Sequence, residues 1–135
     1  MLDDATNEWL RALLGRHHAI AGTVHVVRGE LLEIVAAINI PPKVREITAK
    51  VPFGKGMAGL AWERDQPVQT CNLKEDATGD VKPGAKAVDA RAAVALPIHD
   101  AAGAVRAVVG LAWMDERELP AAEVALIAAD AMSLP

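Results

Sequence analysis

The sequence predicts an α+β or α/β sandwich, a mostly antiparallel sheet of five or six strands with helices packed against a face, rather than a doubly wound fold. Three observations lead there. Apolar stripes at helical spacing lie near both ends of the chain, and β-branched runs punctuated by turn residues fill the interior as two hairpin-like pairs. The length of 135 residues gives room for one domain, 1–135, with one hydrophobic core.

Taken in order, Asp3 or Asp4 can cap a first helix, expected over about 3–15, by accepting an exposed amide hydrogen. Trp9, Leu10, Leu13 and Leu14 give it one apolar stripe, and Gly15 with the basic run Arg16-His17-His18 marks its end. Thr23-Val24-His25-Val26-Val27 is β-branched and too short for a stable helix, so Gly22 to Arg28 reads as a strand. Gly29-Glu30 turns the chain into a partner strand from Leu31 to Ile40, which Pro41-Pro42 stops because neither proline can donate to a ladder. Lys43 to Thr48 fits a short helical turn, whereas Ile47, Ala49 and Val51 alternate in a way that favours a strand at the end of this segment.

Met57 to Arg64 reads as a short helix with Met57, Leu60 and Ala61 on one side; Asp65-Gln66-Pro67 closes it and Val68 to Cys71 is a brief strand. Asn72 through Asp89 is the least patterned region, longer than an ordinary connection, and is either loose or a cover over something. Arg91 to His99 alternates, with Ala93, Ala95 and Pro97 on one face and Ala92, Val94, Leu96 and Ile98 on the other. Asp100 to Gly103 reverses the chain, and Ala104 to Met114, apolar on both faces, is expected to be the central strand. Pro120 opens a final helix over about 120–133, with Val124, Ile127, Ala128, Ala131 and Met132 at helical spacing.

Composition excludes several classes of function. The apolar fraction of 52% contains 27 alanines, one phenylalanine and no tyrosine, so the core should be fine-grained. Only Trp9, Trp62 and Trp113 offer large aromatic surfaces and the net charge is -4, which argues against a nucleic-acid partner. Cys71 is the only cysteine, so neither an intrachain disulfide nor a cysteine-based zinc cluster can form. The acidic N-terminus lacks a secretory signal, and no stretch approaches the roughly 20 apolar residues of a membrane span. The expectation is a cytoplasmic protein with no membrane partner.

Val51-Pro52-Phe53-Gly54-Lys55-Gly56-Met57-Ala58-Gly59-Leu60-Ala61-Trp62 invites a nucleotide reading and does not sustain one. A Walker loop needs a hydroxyl residue after its Gly-Lys pair, but Lys55 is followed by Gly56-Met57. A dinucleotide fingerprint needs a long βαβ crossover after its glycines, and none follows. Its amides could hold an anion at a helix start, yet turn formation and close packing account for the glycines better.

In order and spacing, four segments resemble the GAF family of small ligand-sensing domains over about 20–132. They are Phe53 to Gly59 leading into a helix, Gln66 to Leu73, Ala92 to Ile98, and Val105 to Trp113 containing Val109-Gly110-Leu111. The resemblance implies an antiparallel sheet with the terminal helices on one face, and a short helix and long loop over a ligand cavity on the other. Family members bind a cyclic nucleotide, a tetrapyrrole, haem or a small metabolite, and many dimerise through their terminal helices. A small-molecule ligand and a homodimer are therefore implied, with no particular cofactor.

Val51 to Gly56 further resembles the free methionine-R-sulfoxide reductases, whose chemistry needs at least two thiols, one to attack the sulfoxide and one to resolve the adduct. Their cysteines would fall on Ala58, near Thr48 and near Val88, and Cys71 matches none of them. The resemblance therefore favours a non-catalytic domain, and no catalytic residue is assigned.

Six residues are candidates for a ligand site: His25, Trp62, Cys71, Asp89, Arg91 and Trp113. His25 reads first as a satisfied sheet histidine and second as a ligand contact; Cys71 reads first as a small buried hydrophobe. Asp89 and Arg91 either pair with each other or bracket a polar ligand. Trp62 and Trp113 either fill the core or, on the non-helical side of the sheet, wall a cavity. His17 and His18 point apart and His99 lies at a turn, so no metal triad is expected. The preferred function is a sensory or regulatory small-molecule-binding domain. The alternative is a degenerate scaffold acting as a dimerisation or adaptor module, and an enzyme is third.

Overall fold

The computed structural model describes residues 2–70 and 91–135. Helix α1 spans Asp4–Arg16, and Asp3 caps it by accepting from the Thr6 amide at 3.0 Å and from the Thr6 hydroxyl. Those two donors hold the Asp3 carboxyl below its ordinary range. Leu10, Leu13 and Leu14 of its apolar stripe are buried, while Trp9 is half-buried. The helix ends at a left-handed residue, but that residue is His18, with φ 57°, rather than Gly15, which lies inside the last turn.

Strands β1 (Ala21–Arg28) and β2 (Leu31–Ile38) form the expected hairpin, turned by Gly29 at φ 64°. Their register slips once, because Val24 faces Ala36 while His25 faces Ile34. Val35 is thus the extra residue of a bulge opposite the start of the His25 segment. After Pro41, the segment makes both structures the sequence allowed, helix α2 (Pro42–Ile47) and then strand β3 (Lys50–Pro52). Ile47 therefore ends a helix and is exposed, contrary to its place in the alternating pattern. The reason is local: Pro42 stands at the first helical position, where its fixed φ suits a helix. The Thr48 amide and hydroxyl then close the turn onto the Val44 carbonyl at 2.9 and 2.8 Å.

Helix α3 (Gly56–Arg64) and strand β4 (Val68–Thr70) follow, and beyond residues 71–90 come β5 (Ala92–His99), β6 (Val105–Trp113) and helix α4 (Ala121–Ala131), with Pro120 just before it. The six strands run β3-β2-β1-β6-β5-β4, each antiparallel to its neighbours. Strand β6 is interior, as its two apolar faces predict, and joins the two hairpins through β1.

The two sheet faces carry different layers. Ala92, Val94, Leu96 and Ile98 of β5, with Val109, Leu111 and Trp113 of β6, share one cluster with Leu10, Leu13, Val124, Ile127 and Ala131. Both terminal helices thus pack on the same face, as expected, and each fully buried Leu or Ile there contributes about 1.5–3 kcal/mol. Ala95 and Val108 point the other way, into clusters with Val51, Ala61 and Met57 under α2 and α3. Asp130 ties the helices at one corner, accepting from Arg16 at 2.8 and 3.0 Å and from His17 at 2.8 Å. Among the described residues no helix is long and apolar enough to cross a membrane. The long loop expected over 72–89 lies outside the described residues.

Candidate functional site

The glycine run is a tight turn that seats a helix. Gly54 and Gly56 adopt φ of 75° and 67°, a region only glycine enters without cost. The Gly54 amide donates to the Gly59 carbonyl at 3.0 Å, and a Cβ on Gly59 would stand 2.5 Å from the Pro52 carbonyl oxygen. Gly59 therefore lets α3 close onto the end of β3. Lys55, before the helix, supplies no side-chain cap, and the first turn of α3 faces inward.

A cavity of about 150 Å³ lies between that turn, α2 and the sheet face opposite the terminal helices. Its floor comprises Thr23, Ala93, Ala95, Val108, Gly110 and Ala112; Ile40, Val44, Thr48, Met57 and Ala58 are among its walls, with exposed Lys55 also at its edge. The space follows from sequence, because short side chains on β5 and β6 leave room that larger ones would fill. At Gly110 even a Cβ would sit 3.1 Å from the Thr23 hydroxyl.

His25 also lines the cavity. It is 3% exposed, and its Nε2 lies 2.8 Å from the Thr48 carbonyl oxygen, which can only accept. Nε2 is therefore the protonated nitrogen. Burial pushes the imidazole pKa down, and the bond to Thr48 opposes that shift only in part. The neutral ring leaves Nδ1 as an acceptor, buried and without a partner.

The remaining candidates do not converge there. Trp62 is half-buried on α3 and meets Phe53 edge-on, with ring centroids 4.9 Å apart, away from the cavity lining. Trp113 is buried on the opposite face of the sheet, where its indole donates to the His17 carbonyl at 3.0 Å and Arg117 lies over its ring. Arg91 is exposed just before β5, its amide donating to the Trp113 carbonyl at 2.8 Å. Cys71 and Asp89 lie outside the described residues. Thr23, Thr48, Lys55 and Met57 line the site without having been candidates. The small residues Ala93 and Ala95 on one face of β5 are a signal that could have pointed to this space, although from sequence they served only to assign a strand face.

Among the described residues the site offers a mainly apolar floor and a buried acceptor, His25 Nδ1, without a partner. Ala58, and Thr48 near which the resemblance to the reductases would put a second cysteine, both line the cavity. Val88, near the third, lies outside the described residues, and a single cysteine cannot run a two-thiol cycle. Among the described residues no group of three His, Cys, Asp or Glu could hold a metal ion.

The architecture is shared with known structures of low identity. Type II free methionine-R-sulfoxide reductase from Thermoplasma acidophilum is 10% identical, with TM-score 0.73 over 93% of this chain and 83% of that one. The GAF domain of Acinetobacter phosphoenolpyruvate-protein phosphotransferase is 11% identical, with TM-score 0.74 over 97% and 80%. Free methionine-R-sulfoxide reductase from Neisseria meningitidis, in complex with its substrate, is 14% identical, with TM-score 0.70 over 94% and 73%. No curated protein matches the chain. The fold is thus common to regulatory GAF domains and to reductases. The GAF domain family model matches residues 1–131, and the chain belongs to the GAF domain family.

Proposed function

We propose that this chain is a non-catalytic, small-molecule-binding GAF domain with a sensory or regulatory role. The observation that carries the reading is the cavity under α2 and α3, floored by Ala93, Ala95, Gly110 and Ala112 and lined in part by His25, whose buried Nδ1 has no partner. A ligand that binds one arrangement of α2 and α3 better than another shifts the balance between them, and that difference in affinity is the signal. The single cysteine supports the non-catalytic part of the reading.

A thermal-shift screen of metabolites, nucleotides and tetrapyrroles, followed by calorimetry of the hits, tests it. The screen is expected to yield a ligand that stabilises the wild type and fails to stabilise Ala93→Leu, whose longer side chain occupies the cavity. A screen in which nothing stabilises the wild type overturns the reading.

One observation favours a second role, homodimerisation through a terminal helix. The outer side of α4 carries exposed Ala122, Ala125, Leu126, Ala129 and Met132 without a charge among them, and Leu126 is 67% exposed. Sedimentation velocity across a concentration series is expected to show a dimer that Leu126→Glu weakens; a wild-type monomer at the highest concentration would contradict this.

A further inference from the structure

The size and polarity of the cavity narrow what it holds, an inference that rests on the ligand-binding reading above. A space of about 150 Å³ suits one aromatic ring or a branched chain of similar bulk. Sites for drug-sized or larger ligands run from about 300 to 1,000 Å³, so a nucleotide or tetrapyrrole would leave most of its surface outside. Across the floor the side chains are apolar or, at Thr23, neutral, and the neutral His25 adds no charge. The one charged side chain among the described lining residues, Lys55, is exposed to water, so a charged guest on the floor itself would be desolvated without a counter-ion.

His25 then sets a requirement on the guest. Its Nε2 proton is committed to the Thr48 carbonyl, so the atom in want of a partner is an acceptor, Nδ1. A guest bearing an N–H or O–H relieves that deficit, and one of the same shape without a donor does not. We propose that the cavity takes a small, uncharged, mainly apolar molecule with one N–H or O–H donor, of the phenol or indole kind, and that His25 Nδ1 accepts its hydrogen bond. Nδ1 is covered in this structure, so the guest reaches it through a small movement of the ring or its neighbours, which can be read at the nitrogen itself.

The test uses the whole chain with ¹⁵N-labelled histidine and five probes: phenol, indole, benzene, benzoate and cyclic AMP. Phenol and indole are expected to bind about 3- to 10-fold more tightly than benzene and to shift the His25 Nδ1 resonance, which benzene leaves in place. Benzoate and cyclic AMP are expected not to bind. His25→Phe is expected to bind benzene and phenol equally; if that variant does not fold, the wild-type nitrogen shift decides alone. Equal affinity for phenol and benzene in the wild type, or an Nδ1 resonance that phenol leaves unmoved, overturns the role given to His25. Selective binding of benzoate or cyclic AMP overturns the ligand class while leaving the ligand-binding reading in place. Silence from all five probes overturns the ligand class, and silence from the wider screen as well overturns both.

Discussion

Gly59→Ala tests whether α3 is seated as tightly as the geometry requires. The added Cβ would stand 2.5 Å from the Pro52 carbonyl oxygen, where an ordinary contact begins at 3.4 Å, a shortfall of 3.4 − 2.5 = 0.9 Å. Two more backbone atoms, Gly54 N and C, would lie at 3.2 and 3.3 Å, so no flexible side chain can yield. The segments are also pinned to each other, since the Gly54 amide donates to the Gly59 carbonyl at 3.0 Å. Overpacking of this kind costs about 1–3 kcal/mol, and the gain in helix propensity returns about 1 kcal/mol. With the clash against backbone, the net expectation is a loss of about 1–2 kcal/mol, roughly 4–8 °C in Tm. Gly15→Ala is the matched control: nothing lies within 4 Å of its Cβ position in α1, and it should stabilise by up to about 1 kcal/mol. Urea unfolding of both variants reads the difference. Were Gly59→Ala as stable as the wild type while Gly15→Ala behaved as expected, the close approach of α3 to β3 would be refuted.

Stability should also fall in acid because of His25. Its folded pKa is depressed below the ordinary 6.5, so below about pH 6.5 the unfolded chain takes up a proton that the folded chain resists. The loss begins near that pH and levels off below the folded pKa; denaturant titrations that show the same fall in His25→Phe would contradict it. Trp113→Ala should cost about 3–5 kcal/mol, because it empties a buried site and strands the His17 carbonyl; a loss below 1 kcal/mol in urea unfolding would place that ring elsewhere. Assays of free methionine sulfoxide reduction should show no turnover with any thiol reductant, and measurable turnover would contradict the requirement for a second cysteine.

Much of this architecture was legible because single strands carry their burial in a period of two. In β5, Ala92, Val94, Leu96 and Ile98 separate from Ala93 and Ala95 by parity alone, and the structure sends the two sets to opposite layers. In β6 the run of apolar residues on both parities marked an interior strand. Parity does not say which face the helices take, so Trp113 could be tied to Val109 and Leu111 without being placed on the terminal-helix side. Pro41-Pro42 was legible as a stop to β2, but the second proline also starts a helix, and that sense depends on the closure at Thr48. The bulge at Val35 left no local mark, because a register slip is a property of two strands together. The cavity was only half visible: the small residues of β5 were evident, whereas the acceptor role of His25 Nδ1 depends on the bond from Nε2 to Thr48, 23 residues away.

The central claim is that a small molecule binds on the sheet face opposite the terminal helices, beneath α2 and α3. Methyl chemical-shift mapping with a hit from the thermal-shift screen tests it most directly. Titration is predicted to move the methyl resonances of Val44, Thr48, Met57, Ala93 and Val108, which line the cavity. Those of Leu13 and Ile127, buried under the terminal helices on the other face, are predicted to stay in place. Perturbations concentrated at Leu13 and Ile127, with Ala93 and Val108 unmoved, would contradict the account.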